Sequence, residues 1–233
     1  MSKNNKHLTP PSAENIFMNL KADISLGLLH PRERLIEAEL VERFNSHRPA
    51  VREALAMLTK LGLVVHVPNK GASVAELNVN EVTKIFEIRI ELESLAASWI
   101  TLPLPKAEID ELEQVLKKHS SAIDNNDYRE IFRLDVLFHS QINVHCGNNH
   151  LEEMIDLMSD RGLLARWSVQ MTPKFLKERL KEHEDILNAI RTCDQERLIT
   201  IMRAHNTIGL DWFIKSIRES RTVELSRVRD MTT

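Results

Sequence analysis

Residues Glu33 to Gly71 read ERLIEAELVERFNSHRPAVREALAMLTKLGLVVHVPNKG. Between Ile36 and Phe44, the residues Leu40, Val41 and Phe44 share one helical face, and the segment runs into the turn-like tetrapeptide Asn45-Ser46-His47-Arg48. Pro49 suits the first turn of the next helix, where its missing N–H is not needed. That helix carries Val51, Leu55, Leu58 and Leu61 on one side and stops at Gly62, which accepts the left-handed geometry of a helix end. LVVHV, Pro68-Asn69-Lys70-Gly71 and ASVAEL then read as strand, tight turn and strand. Upstream, Ile16, Phe17, Leu20, Ile24 and Leu28 repeat at helical spacing from Ala13 to Leu29, until His30-Pro31 breaks the pattern. Helix, helix, turn, helix and β-hairpin is the order of a winged helix-turn-helix, with Pro49–Leu61 as the major-groove helix and the hairpin as the wing. The same order also describes a small helical domain that has a terminal hairpin and binds no DNA.

The chain has 233 residues, about 1.5 domains at roughly 150 residues each, so this module leaves room for one larger partner. A content of 42% hydrophobic and 28% charged residues excludes wholesale disorder. With 5% aromatics and 6 glycines, it suits helices better than a turn-rich sandwich. The charge-free run Ser94 to Pro105 is too short to span a membrane, and Met1 to Leu20 lacks a secretory leader. Two cysteines, Cys146 and Cys193, fit a reducing, cytoplasmic setting. The net charge of −3 divides unevenly: residues 1–75 hold 10 Lys+Arg against 7 Asp+Glu, and residues 76–233 hold 21 against 27. A polyanion such as DNA therefore belongs with the N-terminal third.

From residue 78 onward the periodicity is helical throughout. Asn78 and Glu81 form a capping-box pattern, and Val82, Ile85, Phe86, Arg89, Leu92 and Ala96 follow on one face. Breaks at Thr101–Pro105, Asn125–Asp127, Gly147–Asn149, Met171–Pro173 and Cys193–Asp194 divide the region into six helices, an antiparallel bundle with room for a core cavity. The expected organisation is a flexible tail over 1–9, a winged helix-turn-helix over 10–76, a six-helix domain over 78–220 for effector binding and dimerisation, and a C-terminal tail over 221–233. The fold class is mainly α.

Ionisable residues inside apolar stripes are the informative ones. Asp135 and His139 are four apart among Ile131, Phe132, Phe138 and Ile142. His183 lies in the stripe of Leu176, Leu180, Ile186, Leu187 and Ile190, and His205 in that of Leu198, Ile201, Met202, Ile208 and Trp212. Each could be a hydrogen-bonded core residue. Together they also suit a divalent metal, with positions left open for water or a ligand carboxylate. His145 points away from that face, and His119 and His150 read as helix-end residues with no stripe. Arg89, on an apolar face, requires an anion, either a bundle glutamate or a bound ligand. Arg161 and Arg166 lie on an ambiguous stripe that could face a cavity.

The N-terminal module resembles the DNA-binding domain of the GntR family of bacterial regulators, in its FadR-type branch. Glu33–Leu35, Ala38–Phe44, Arg48, Val51–Leu55, Leu61–Val64 and Pro68–Gly71 carry the likeness without gaps. The resemblance implies DNA contacts at Arg48 and Arg52 and at Asn69, Lys70 and Gly71 on the wing. The chain departs from the family's Gly-Val-Ser at Asn45-Ser46-His47, from its Thr-Pro at Pro49-Ala50, and from a glycine at Arg32. RLDVLFHSQI at Arg133–Ile142, KEHEDILNAI at Lys181–Ile190 and MRAHN at Met202–Asn206 resemble the FCD ligand-binding domain, in its six-helix, VanR-like subgroup. That likeness implies Asp135, His139, His183 and His205 as metal ligands, an effector other than a fatty acyl-CoA, and a carboxylate held by Arg89. It thus implies a ligand-responsive transcription regulator, not an enzyme. The expected metal is zinc, with nickel and manganese fitting the same ligands. The expected partners are a small acid such as a di- or tricarboxylate, an inverted-repeat DNA operator and a second copy of the chain. Two alternatives stay open: a metal-dependent enzyme using the His3Asp set, and a regulator whose effector is the ion itself.

Overall fold

The computed structural model describes residues 10–67, 71–166 and 171–230, and their side chains except those of residues 67, 163, 165, 166 and 217–230. The chain divides into two compact units, residues 1–76 and 77–233.

In the first unit, α1 (Ala13–Ser25), β1 (Arg34–Leu35), α2 (Glu37–Arg43), α3 (Arg48–Lys60), β2 (Val64–Val67) and β3 (Gly71–Val74) follow in order. Ser12 caps α1 by accepting from the Asn15 N–H. Ile16, Leu20 and Ile24 of α1 are buried, as are Val51, Ala54, Leu55 and Leu58 of α3, and the two helices pack on each other. Burying these apolar side chains, at about 1.5–3 kcal/mol for each large one, is the main force that orders the unit. The periodicity overshot α1, which ends at Ser25. Gly27 turns the chain at φ 69°, the Leu28 and Leu29 amides both donate to the Asp23 carbonyl, and Leu28 is exposed. The wing is also more than a hairpin. The sheet runs β1-β3-β2, all antiparallel, with Arg34 opposite Ser73 and Val64 opposite Val74. Both expected family glycines that this chain replaces, at Arg32 and Asn45, have left-handed backbone (φ 65° and 45°). Asparagine tolerates that conformation better than arginine does.

The second unit holds six α-helices among the described residues, the number expected from the breaks. These are α4 (Val79–Trp99), α5 (Lys106–Asp124), α6 (Tyr128–Asn143), α7 (Asn149–Arg166), α8 (Pro173–Arg191) and α9 (Gln195–Asp230), with a 3-10 turn at Val144–Cys146. The Asn78–Glu81 capping box closes both ways and starts α4. Thr172 caps α8 through the Phe175 N–H, with Pro173 in the first turn. α9 continues helical through Asp230, so the expected tail from 221 is helix to that point. Leu112, Leu116, Leu134, Phe138, Ile142, Ile186, Ile190, Leu198 and Met202 form the apolar core that locks α5, α6, α8 and α9 together. No described helix is long and apolar enough to cross a membrane.

Candidate functional site

Helices α4, α6, α8 and α9 bring together the ionisable groups nearest the cluster. α6 presents Asp135 and His139 one turn apart, α8 presents His183, and α9 presents His205. His183 Nε2 and His139 Nε2 lie 3.3 and 3.1 Å from His205 Nε2. These three imidazoles are buried and meet at one point. Asp135 stands slightly apart, with Oδ1 3.6 Å from His183 Nε2. The fourth helix, α4, brings Glu93, whose Oε2 is 3.6 Å from His139 Nδ1.

Burial strips water from these rings, so protonation is disfavoured. His183 and His205 are pushed well below the ordinary imidazole value, and His139 is lowered for the same reason. Neutral imidazole is the form that ligates metal. The Glu182 carboxylate accepts a 2.8 Å hydrogen bond from His205 Nδ1, which leaves the Nε2 lone pair facing the other rings. Nitrogens bound at about 2.0–2.1 Å around one ion would sit roughly 3.0–3.4 Å apart; the two separations from His205 Nε2 fall in that range, and one ring nitrogen from each of the three histidines lies within 4.8 Å of the others, with Asp135 beside them. One contact competes: the Arg179 guanidinium also lies against His205 Nε2. An ion bound at that lone pair would have to displace it.

A cavity open to solvent reaches this cluster, with about 830 Å³ of empty space when the solvent at its mouth is counted. Arg89, His119, Asp135, His139, Arg179 and Asn206 line its polar part, and five aromatic rings line much of the rest. Of the expected residues, Asp135 and His139 line this cavity, and His183 and His205 stand directly behind it. Arg89 lines it too, but already has an anion. Its guanidinium donates to Glu93 Oε1 at 2.7 and 2.9 Å and to Asn206 at 3.3 Å, the bundle-glutamate alternative. Burial alone would raise the Glu93 carboxyl, but the Arg89 charge and the Asn206 hydrogen bond hold it below the usual value. Arg161 is absent from the described lining, and the Arg166 side chain lies outside the described residues.

Glu93, Arg179, Glu182 and Asn206 escaped the sequence reading, and His119 was misplaced by it. Glu93 is four residues after Arg89, the spacing of a helical ion pair. Arg179 is four before His183, and it donates to Glu182 and to the His205 carbonyl, both at 2.6 Å. His119 corrects an expectation: read as a helix-end residue with no stripe, it is buried and stacked on the His183 ring at 5.5 Å. Leu112, Leu116 and Ile123 of α5 supply the stripe that should have placed it.

In the first unit, Arg48 opens α3, and both Arg48 and Arg52 are exposed beside the buried Val51 and Leu55. The Arg52 Nε donates to both Glu37 oxygens, at 3.0 and 2.9 Å. Gly71 starts β3 and is exposed, with φ 81°. Asn69 and Lys70 lie outside the described residues.

Comparison with known proteins bears on both units. Residues 84–207 match the FCD domain, and residues 12–74 match the family described as bacterial regulatory proteins, gntR family. The chain is 29% identical to the uncharacterized HTH-type transcriptional regulator YdhC of Bacillus subtilis, over 81% of this chain and 85% of that one. It is 28% identical to the HTH-type transcriptional repressor RspR of Escherichia coli, over 91% and 92%. The solved structure of E. coli McbR/YncC shares the fold, with a TM-score of 0.80 at 24% identity over 87% of this chain and 97% of that one. A GntR regulator from Rhodococcus sp. RHA1 does so at 0.76 and 18% identity, over 87% and 97%. The matched domains and relatives are transcription regulators, not enzymes.

Proposed function

The chain belongs to the GntR-family bacterial transcription regulators with a C-terminal FCD domain, and from that premise we propose that it is a metal-containing regulator whose DNA binding answers to a small carboxylic acid. One observation carries the reading: three neutral histidine nitrogens from three helices converge beside a cavity. His139, His183 and His205, with Asp135, would hold a divalent ion, zinc being the first choice for this donor set. The ion supplies a Lewis-acidic site for a carboxylate oxygen. Around it, Glu182 orients His205, while Arg89 and Arg179 line the wall that an anion meets. The divided domain roles, the second copy and the DNA contacts belong to the same proposal. Arg48 and Arg52 read the operator, with Asn69, Lys70 and Gly71 contacting DNA from the wing.

Two-fold dimers double a short half-site into a useful operator, so an inverted repeat is expected. Ile88, Leu95 and Trp99 of α4 are exposed apolar residues on one helical face, a stripe that a second copy would cover. The acid acts by preferring one spacing of the two reading helices, a coupling of about 1–3 kcal/mol. A mobility-shift titration of the operator, with zinc-loaded protein and a panel of organic acids, tests this. Operator affinity should change about 5- to 150-fold with the right acid. Affinity that tracks zinc alone, unmoved by any acid, would instead make the ion the effector.

A further inference from the structure

The cavity beside the histidines is unusually aromatic for this chain. Of its 7 Phe, 3 Trp and 1 Tyr residues, Phe86, Phe132, Phe175, Trp212 and Phe213 all line this one space. Four of the five form two near-parallel pairs. Phe175 and Trp212 stack at 3.8 Å with an 11° interplanar angle, and Phe86 and Phe213 lie at 6.3 Å and 13°. Ile131, Met171 and Leu176 add apolar surface between them. Each pair stacks on itself, so it offers a guest its free faces and edges, where a flat, polarisable guest gains offset-stacked or edge-on contacts that an aliphatic chain cannot make.

The polar end limits how much negative charge such a guest can carry. The cationic groups there are the guanidiniums of Arg89 and Arg179, bonded to Glu93 and Glu182, with Asp135 close by. Two positive charges thus face three carboxylates, an excess of one negative charge. A divalent ion turns that into one positive charge, which a single carboxylate neutralises. A second or third carboxylate on the ligand would have to sit among the aromatic rings, where no described lining residue offers it a cation. The neutral histidines add none.

We infer that the effector is a flat aromatic monocarboxylate, its acid group toward the histidine cluster and its ring against Phe175–Trp212 and Phe86–Phe213, not the di- or tricarboxylate that the sequence suggested. This inference rests on the carboxylate reading of the same site.

The test uses the full-length, zinc-supplemented protein and four probes at equal concentration: benzoate, 2-naphthoate, succinate and tricarballylate. Melting temperature and calorimetric Kd are read for each, since a ligand of the native state raises its melting point. Benzoate and 2-naphthoate should bind and stabilise, the larger ring more strongly, while the two polyacids bind at least tenfold more weakly. Trp212→Leu, which keeps apolar bulk, should weaken 2-naphthoate by roughly three- to tenfold. Phe132→Leu serves as the second variant if the first fails to fold. Tighter binding of succinate or tricarballylate overturns this inference and leaves the carboxylate reading standing. Failure of all four acids to bind overturns both. Folded leucine variants that bind 2-naphthoate as tightly as the wild type also overturn the aromatic assignment.

Discussion

Two arginine–glutamate pairs of the same chemistry stand in opposite surroundings. Arg52 and Glu37, on the DNA-reading unit, leave 65% and 35% of their side chains exposed, whereas Arg89 and Glu93, inside the bundle, leave 14% and 1%. The exposed pair is screened by water and contributes at most about 1 kcal/mol, so its guanidinium can be given up to a base edge or a phosphate. The buried pair cannot be released so cheaply, because either partner left alone in the core is an uncompensated charge. On the proposed function, the first pair is a group held ready for exchange and the second a fixed wall of the effector site. That contrast matches the two tasks of the chain, reversible contact with a polyanion on one unit and a shaped interior on the other.

Breaking the buried pair should give the largest effect. Glu93→Ala leaves Arg89 facing Asn206 alone, and we expect a loss of about 3–5 kcal/mol in urea unfolding. Removing both charges together, as Arg89→Met with Glu93→Leu, should recover much of that loss, because well-packed apolar side chains replace a buried pair at little cost. A loss below about 1 kcal/mol for Glu93→Ala would mean that the interior is wetter than its burial implies.

The histidines sharpen the same comparison through pH. His119, His139, His183 and His205 are all lowered by burial, so below the ordinary imidazole value of about 6.5 the unfolded chain binds more protons than the native one. Their contribution to stability is therefore present above about 6.5 and declines as pH falls toward the native-state values. Glu182, raised by burial, works in the opposite sense, but it is one group against four. Metal-stripped protein should show a lower urea midpoint at pH 5.5 than at pH 7.5. An equal or higher midpoint at pH 5.5 would place these rings in contact with water.

On the exposed side the effects are smaller and fall on DNA binding. Arg52→Ala should weaken operator binding by at least about 1 kcal/mol at fixed salt, the low end for a good bidentate base contact. Unchanged binding would remove Arg52 from the reading set. Glu37→Ala is the smallest perturbation: it should change unfolding stability by less than about 1 kcal/mol, as expected of an exposed pair. A larger loss would make the pair a structural strut between α2 and α3.

The two regions also differed in how much their residues disclosed. In the reading unit, apolar side chains mark the buried face and charges mark the exposed one, so Val51, Leu55 and Leu58 disclosed the orientation of α3 from spacing alone. The strand β1 was hidden, since the two residues Arg34 and Leu35 are too few to show an alternation. In the bundle, Asp135, His139, His183 and His205 stood out as polar interruptions of apolar stripes, and the structure brings them together. Glu93 and Arg179 were not legible in that way. Periodicity marks where apolar groups go, and a buried polar residue shows itself only through a partner, here Arg89 four residues earlier or His183 four later. His119 had its stripe, but imidazole near a helix end reads as surface until the neighbouring helix is seen to cover it.

The central claim is that the converging histidines hold a metal ion, and metal content measures it most directly. Protein purified without chelator and analysed by plasma mass spectrometry should carry close to one divalent ion per chain, and His183→Ala or His205→Ala should lose it while remaining helical by circular dichroism. If wild-type protein carries no metal and takes up none on dialysis against zinc, nickel or manganese, the cluster is only a buried polar network and the account of the site is wrong.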